Sequence, residues 1–236
     1  MALDLPARPA GQLIWLHGAS LGESRLLLRM ADALGRDRPE TQFLFTSQTT
    51  TSADMVGRNA KKVARHQMAP VDTPAAVSRF IDHWQPDLGI FAEGEIWPNL
   101  IMAAKAAGTP LVLVNARMTE GSIRGWQSWP TTARELFGAF DRILPADTRT
   151  ADAVSALTGQ DIKAFGNLKV SGSPKTNDHE RSKPILLGAS THDGEEALLL
   201  EALSHLGDGW QLILAPRHPD RGEAVARTVA ACGHAV

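Results

Sequence analysis

An α/β fold built on a parallel sheet is what this 236-residue sequence predicts. Three observations carry that reading. Short apolar runs recur along the chain without the polar alternation of a half-solvated strand, so each strand has to be buried on both faces. Segments of helical length separate them, the pattern of successive βα units. Gly35 and Gly108 stand where two of these helices should stop, in positions that favour a left-handed backbone.

The first strand is LIWLH (13–17), and a helix follows in SLGESRLLLRMADALG. QFLFTS (42–47) leads into TTSADMVGRNA, and KVARHQM (62–68) leads into TPAAVSRFIDHW. LGIFAE (88–93) precedes a helix in IWPNLIMAAKAAG. PLVLVNA (110–116) opens onto a loop rich in Arg and Trp, and RILPA (142–146) precedes DTRTADAVSALTG. Composition then changes at SGSPKTNDHERSKP (171–184), which is polar, carries two prolines and reads as a linker. After it the rhythm restarts with PILLGAS, GEEALLLEALSHLG, WQLILAP and a last helix to about Cys232. Two βα units bury too little to stand as a domain of their own. The expected organisation is a Rossmann-like domain over 1–170, a linker over 171–184 and part of a second domain over 185–236.

Composition excludes several classes. Hydrophobic residues make up 43% and charged residues 21%, ordinary for a soluble globular protein. A net charge of −2 offers no field to draw the chain onto nucleic acid. No run of about 18 apolar residues predicts a transmembrane segment. The start, MALDLPARPAGQ, has neither the basic nor the apolar region of a signal peptide. A single cysteine, Cys232, rules out an internal disulfide and fits a reducing compartment, so a cytoplasmic location is expected.

The chemistry-bearing residues gather at the carboxyl ends of the predicted strands, where open α/β sheets bind ligands. Ser20-Leu21-Gly22-Glu23 has the spacing of a capping box, in which Ser20 and Glu23 satisfy each other's backbone amides. The same turn also suits a ligand site, with Gly18 and Gly22 permitting close approach and a helix N-terminus favouring an anion. Glu93-Gly94-Glu95 follows another strand; the pair serves either a helix start or a site, and the turn implied by Gly94 and Trp97-Pro98 hides their directions. Arg117 and Arg124, with Trp126 and Trp129 nearby, make either a solvated loop or a hold on phosphate and sugar. Ser190-Thr191-His192-Asp193 precedes a helix that Asp193 and Glu196 are suited to cap. Pro216-Arg217-His218 follows the last strand, with Pro219 placed to begin a helix, and makes a plausible phosphate site.

The stretches WLHGASLGE, FAEGEIWPNL, PLVLVNARMTEGSIRGW, FGNLKVSG, GASTHDGEE and LILAPRHPDR occur in this order. In that series the chain resembles the Kdo transferases, which move 3-deoxy-D-manno-octulosonic acid from CMP-Kdo to lipid A precursors. The resemblance implies a GT-B fold of two Rossmann-like domains, inversion at the anomeric carbon, no metal and no cofactor beyond the donor substrate CMP-Kdo. It implies that Glu23 is the general base and that Glu93 and Lys169 stabilise the transition state. It implies that Pro216, Arg217 and His218 belong to the CMP site, with Ser20, Gly22, Arg117, Ser190 and Thr191 as further substrate contacts. The implied partners are CMP-Kdo and a lipid A precursor met at the cytoplasmic face of the inner membrane. The acidic motif is E-G-E where the family commonly has E-T-E, and the family's later GG…GGHN…E segment does not occur. A binding module without turnover and another GT-B nucleotide-sugar enzyme are the competing readings.

Overall fold

The structure is a computed structural model and describes residues 6–59, 65–169, 183–207 and 209–234. The chain falls into two compact units, Met1–Ser173 and Pro174–Val236. Residues 171–182 of the expected linker lie outside the described residues.

The first unit contains β1 (Leu13–His17), α1 (Leu21–Asp37), β2 (Gln42–Ser47), α2 (Thr50–Asn59), β3 (Arg65–Met68), α3 (Pro74–Trp84) and β4 (Leu88–Ala92). It continues with α4 (Pro98–Ala106), β5 (Leu111–Ala116), α5 (Glu120–Gln127), α6 (Pro130–Gly138), β6 (Arg142–Pro145) and α7 (Thr148–Thr158). Six parallel strands lie in the order β3-β2-β1-β4-β5-β6, the doubly wound arrangement. Chain direction across the sheet reverses between β1 and β4, so a crevice opens beyond the carboxyl ends of those two strands. His17 pairs in register with Phe91, which sets the residues leaving both strands side by side.

Successive residues of β1 are buried on opposite faces. Leu13 and Trp15 join α3, α4, α6 and α7 in one core, while Ile14 and Leu16 join α1 and α2 in the other. This two-sided burial is why the strands read as unbroken apolar runs. Gly89 in β4 leaves the room Leu111 and Trp15 need, since a Cβ there would stand 2.7 Å and 3.3 Å from their side chains.

Several expected boundaries shift. α1 runs through Gly35 to Asp37, so Gly35 does not end the helix; its interior turns are held by buried Leu27, Leu28 and Ala31. Gly108 does follow the end of α4, with φ +78°. Residues 60–64, with the start of the strand expected at 62, lie outside the described residues. The Arg- and Trp-rich stretch after β5 is not a loop. It forms α5, capped by the Thr119 hydroxyl accepting from the Ser122 amide, and α6, begun by Pro130.

The second unit contains β7 (Ile185–Thr191), α8 (Glu195–Leu206), β8 (Gln211–Pro216) and α9 (Gly222–Ala231), with a short 3₁₀ turn at Pro219–Arg221. β7 and β8 pair in parallel as a two-stranded sheet. Gly188 allows α8 to lie close on this sheet, because a Cβ there would collide with Leu199 and Leu214. Asp193 and Glu196 do not cap α8: Gly194 stands at the cap, and both acids turn to Arg221 instead.

Candidate active site

β1 delivers the turn His17–Glu23 into the crevice. Ser20 caps α1 in a full capping box. Glu23 is 8% exposed and both its oxygens are engaged. Its Oε2 accepts from the amides of Ala19 (2.7 Å) and Ser20 (3.2 Å), and its Oε1 accepts from the Ser20 hydroxyl (2.8 Å). Gly18 packs tightly here, since a Cβ on it would stand 3.0 Å from that of Glu23.

β4 delivers the second acid. Glu93 has φ +59°, in the left-handed region that glycine and asparagine favour. Its amide donates to Val114 O at 2.9 Å. Its carboxylate oxygen Oε1 lies 2.5 Å from Lys169 Nζ and accepts from Asn115 Nδ2 at 3.1 Å. Asn115 is wholly buried at the end of β5, itself at φ +53°, and its Oδ1 accepts from the Leu168 amide at 2.9 Å. The amide of Phe165 donates to Pro145 O at 2.8 Å. The segment after α7 is thus fastened to the ends of β6 and β5, and that placement brings Lys169 to Glu93. A Cβ on Gly22 would stand 3.3 Å from Lys169 Nζ, so the ammonium lies beside the first turn of α1. The fold therefore brings Ser20, Gly22, Glu23, Glu93 and Lys169 to one place.

Glu95 points the other way from Glu93. Its Oε2 accepts from Trp97 Nε1 at 2.7 Å and lies 3.5 Å from His17 Nε2. Burial pushes the Glu95 carboxyl up, but its contacts with His17 and Trp97 outweigh this and hold it below the usual glutamate value. Arg117 is exposed and, with Glu93, Met118 and Trp126, lines a cavity of about 160 Å³. Arg124 lies on α5 and faces Glu120 one turn away. Among the described residues, no three His, Cys, Asp or Glu side chains gather as metal ligands would.

In the second unit, Ser190 is exposed with φ +59°, while Thr191 is buried and donates its hydroxyl to Glu196 Oε1 at 2.7 Å. Pro216 ends β8, and the Arg217 amide donates to Thr191 O at 3.0 Å, leaving the Arg217 and His218 side chains exposed. These residues all sit at the carboxyl ends of β7 and β8.

The family model for 3-deoxy-D-manno-octulosonic-acid transferase (kdotransferase) matches residues 3–171. The chain belongs to this family. A 3-deoxy-D-manno-octulosonic acid transferase of Rickettsia bellii is 33% identical over 225 residues, covering 90% of this chain and 54% of that protein. The chain spans about half the length of the curated relatives it matches. Its fold is similar to UDP-GlcNAc 2-epimerase of Neisseria meningitidis, with a TM-score of 0.63 at 12% identity, covering 94% of this chain and 70% of that one. It is also similar to MurG of Acinetobacter baumannii, with a TM-score of 0.55 at 11% identity, covering 91% of this chain and 70% of that one. The Kdo transferase family match, the six-stranded sheet and these neighbours together show the GT-B type of α/β fold.

Two residues of this candidate site carried a signal that residue-by-residue reading passed over. Asn115 and His17 are polar residues closing apolar strands, where a buried side chain has to be hydrogen-bonded. Both stand within the quoted stretches, and neither has a spacing pattern of its own.

Proposed function

We propose that the chain is the acceptor-side domain, with the first part of the donor-side domain, of a glycosyltransferase. It moves Kdo from CMP-Kdo to a lipid A precursor, with inversion and without a metal ion. The observation that carries this is the convergence of Glu23, Glu93 and Lys169 at the switch point between β1 and β4. A carboxylate anchored by two backbone amides is held in one orientation, as a general base has to be. Glu23 takes the proton of an acceptor hydroxyl, and the oxygen attacks the anomeric carbon from the face opposite the phosphate. The new C–O bond forms as the bond to CMP breaks, and CMP leaves as a monophosphate. Lys169, steadied by Glu93, supplies a fixed positive charge for the negative charge that develops. Arg217 and His218 are proposed to receive the CMP phosphate, and Arg117 the acceptor sugar.

Among the described residues, no helix is long and apolar enough to cross a membrane. A lipid acceptor is therefore proposed to be met at the membrane surface, on its cytoplasmic face. The deciding assay incubates the chain with CMP-Kdo and a tetraacyl lipid A precursor and follows CMP release. Release that requires both substrates is expected. Binding of the acceptor with no CMP released would reduce the role to acceptor recognition, and turnover of a UDP-sugar in place of CMP-Kdo would overturn the donor assignment.

A further inference from the structure

We propose that His17 is a positioning residue for Glu93, acting through Glu95; this rests on reading Glu93 and Lys169 as part of the transfer site. His17 closes β1 and is wholly buried. Its ring packs against Phe91, with centroids 5.0 Å apart, and against Trp15 at 6.0 Å. Nδ1 lies 2.8 Å from Thr46 Oγ1, and that same oxygen accepts from Trp15 Nε1 at 2.8 Å. Nε2 is buried with no hydrogen bond among the described residues and lies 3.5 Å from Glu95 Oε2.

The network fixes where the ring proton goes. A hydroxyl has one proton, and with Trp15 donating into Thr46 that proton is free to pass to Nδ1. Nε2 then carries its proton toward the Glu95 carboxylate. The opposite neutral tautomer sets a bare lone pair against a carboxylate oxygen. A phenyl ring would fill the same space between Trp15 and Phe91 without leaving a buried nitrogen unpaired, and such an atom is costly. The nitrogen therefore has its use in Glu95, from which it is a short shift short of hydrogen-bond distance.

The turn that His17 reaches is the one that aims Glu93. Glu93 holds a left-handed conformation that a glutamate does not adopt freely, so the surroundings have to impose it. Asn115 grips the Glu93 side of the turn. Glu95 anchors the other side, through Trp97 and His17. Removing the β1-side anchor lets the turn relax and withdraws Glu93 from Lys169.

Acetylation of the full chain with acetic anhydride, read by mass spectrometry, tests this without turnover. Lys105, 46% exposed and 3.7 Å from Asp141, is the internal reference for Lys169, which is 39% exposed. In His17→Phe and in Glu95→Ala, Lys169 labelling relative to Lys105 is expected to rise roughly two- to five-fold, the range for losing an ion pair of this exposure. His17→Gln, which returns an N–H near the Nε2 position, is expected to restore protection. Unchanged Lys169 labelling in the variants overturns the proposal, as does an equal rise at Lys105, which marks general loosening. If His17→Phe does not fold, Glu95→Ala carries the test, because Glu95 lies on a turn outside both cores. Failure of CMP release would remove the transfer reading and leave the labelling result intact, so the two are separable.

Discussion

Glu23 caps α1 and is the residue we propose as the general base, two roles that the sequence alone sets in opposition. As a cap it folds back on Ala19 and Ser20, and as a base it faces the crevice between β1 and β4. The geometry makes these compatible, because the amides hold Oε2 while, among the described residues, Oε1 has the rotatable Ser20 hydroxyl as its hydrogen-bond partner. Glu23→Gln separates them. Its carbonyl oxygen can keep the two amides while its NH₂ donates to the Ser20 oxygen. The loss in stability is expected at the low end of the roughly 0.5–2 kcal/mol that caps contribute. The proposed Kdo transfer is expected to fall by about 10²–10⁴-fold, the usual contribution of a general base. Thermal melting and CMP release, measured on the same preparation, check this. A variant with near-normal transfer and a clearly lowered melting point would leave Glu23 as a cap alone.

At the scale of elements, the sites are built by turns that follow strands, and charge fixes their shape. In the second unit, the turn between β7 and α8 is held by Arg221, which donates to Glu196 at 2.9 Å and to Asp193 at 2.9 Å. Glu196 is 4% exposed; the Arg221 hydrogen bond, and more weakly that of Thr191, outweigh burial and hold its carboxyl below the usual glutamate value of 4.5. A carboxyl held low in the folded state stabilises the fold above its unfolded value. That contribution is lost as pH falls through the lower, folded value. The protection of amides across Glu195–Leu206, taken relative to the intrinsic exchange rate at each pH, is therefore expected to fall on acidification below about pH 4.5, where an unfolded glutamate begins to take up protons. Glu196→Gln is expected to start with faster exchange and to lose most of this acid sensitivity. An unchanged acid limb in Glu196→Gln would assign the effect to other carboxylates.

For the whole molecule, stability is unevenly placed. The first unit fully buries Trp15, Trp84, Phe45 and Phe91 along with many aliphatic residues, and each such side chain contributes about 1.5–3 kcal/mol. Among the described residues of the second unit, the buried hydrophobic side chains are Leu200 and Val225, while Leu187, Leu198, Trp210 and Ile213 are exposed. β8 alternates between exposed and partly buried residues and β7 buries Gly188 and Thr191, whereas β1, β2, β4 and β5 of the first unit are buried along nearly their whole length. Limited proteolysis is expected to cut first between 171 and 184 and to leave a fragment of about residues 1–170. Hydrogen exchange is expected to be faster in β7 and β8 than in β1 and β4. Equal protection in both sheets would overturn this ordering.

The sequence by itself determined the strand runs, the alternation of strand and helix, the Ser20–Glu23 capping box and the break in composition near 171, because these are local. Apolar runs report two-sided burial, and short-range spacing reports a cap. It placed Glu23, Glu93 and Lys169 in one site only through a whole-family resemblance. It read the chain between Arg117 and Trp129 as a loop, since α5 is only eight residues long and has just Ile123 and Trp126 to place against the core, too short a stripe to announce a helix. Gly35 misled for the converse reason: packing on the sheet carries α1 past a residue whose local preference is to end it. Only the tertiary structure decided the strand order, and with it the switch point between β1 and β4. It alone turned Glu93 toward Lys169 and Glu95 toward His17, two residues apart in the chain and opposed in direction. Those directions depend on a left-handed backbone held by Asn115 and Val114, whose hold on it comes from pairing between β4 and β5 and leaves no trace in local spacing.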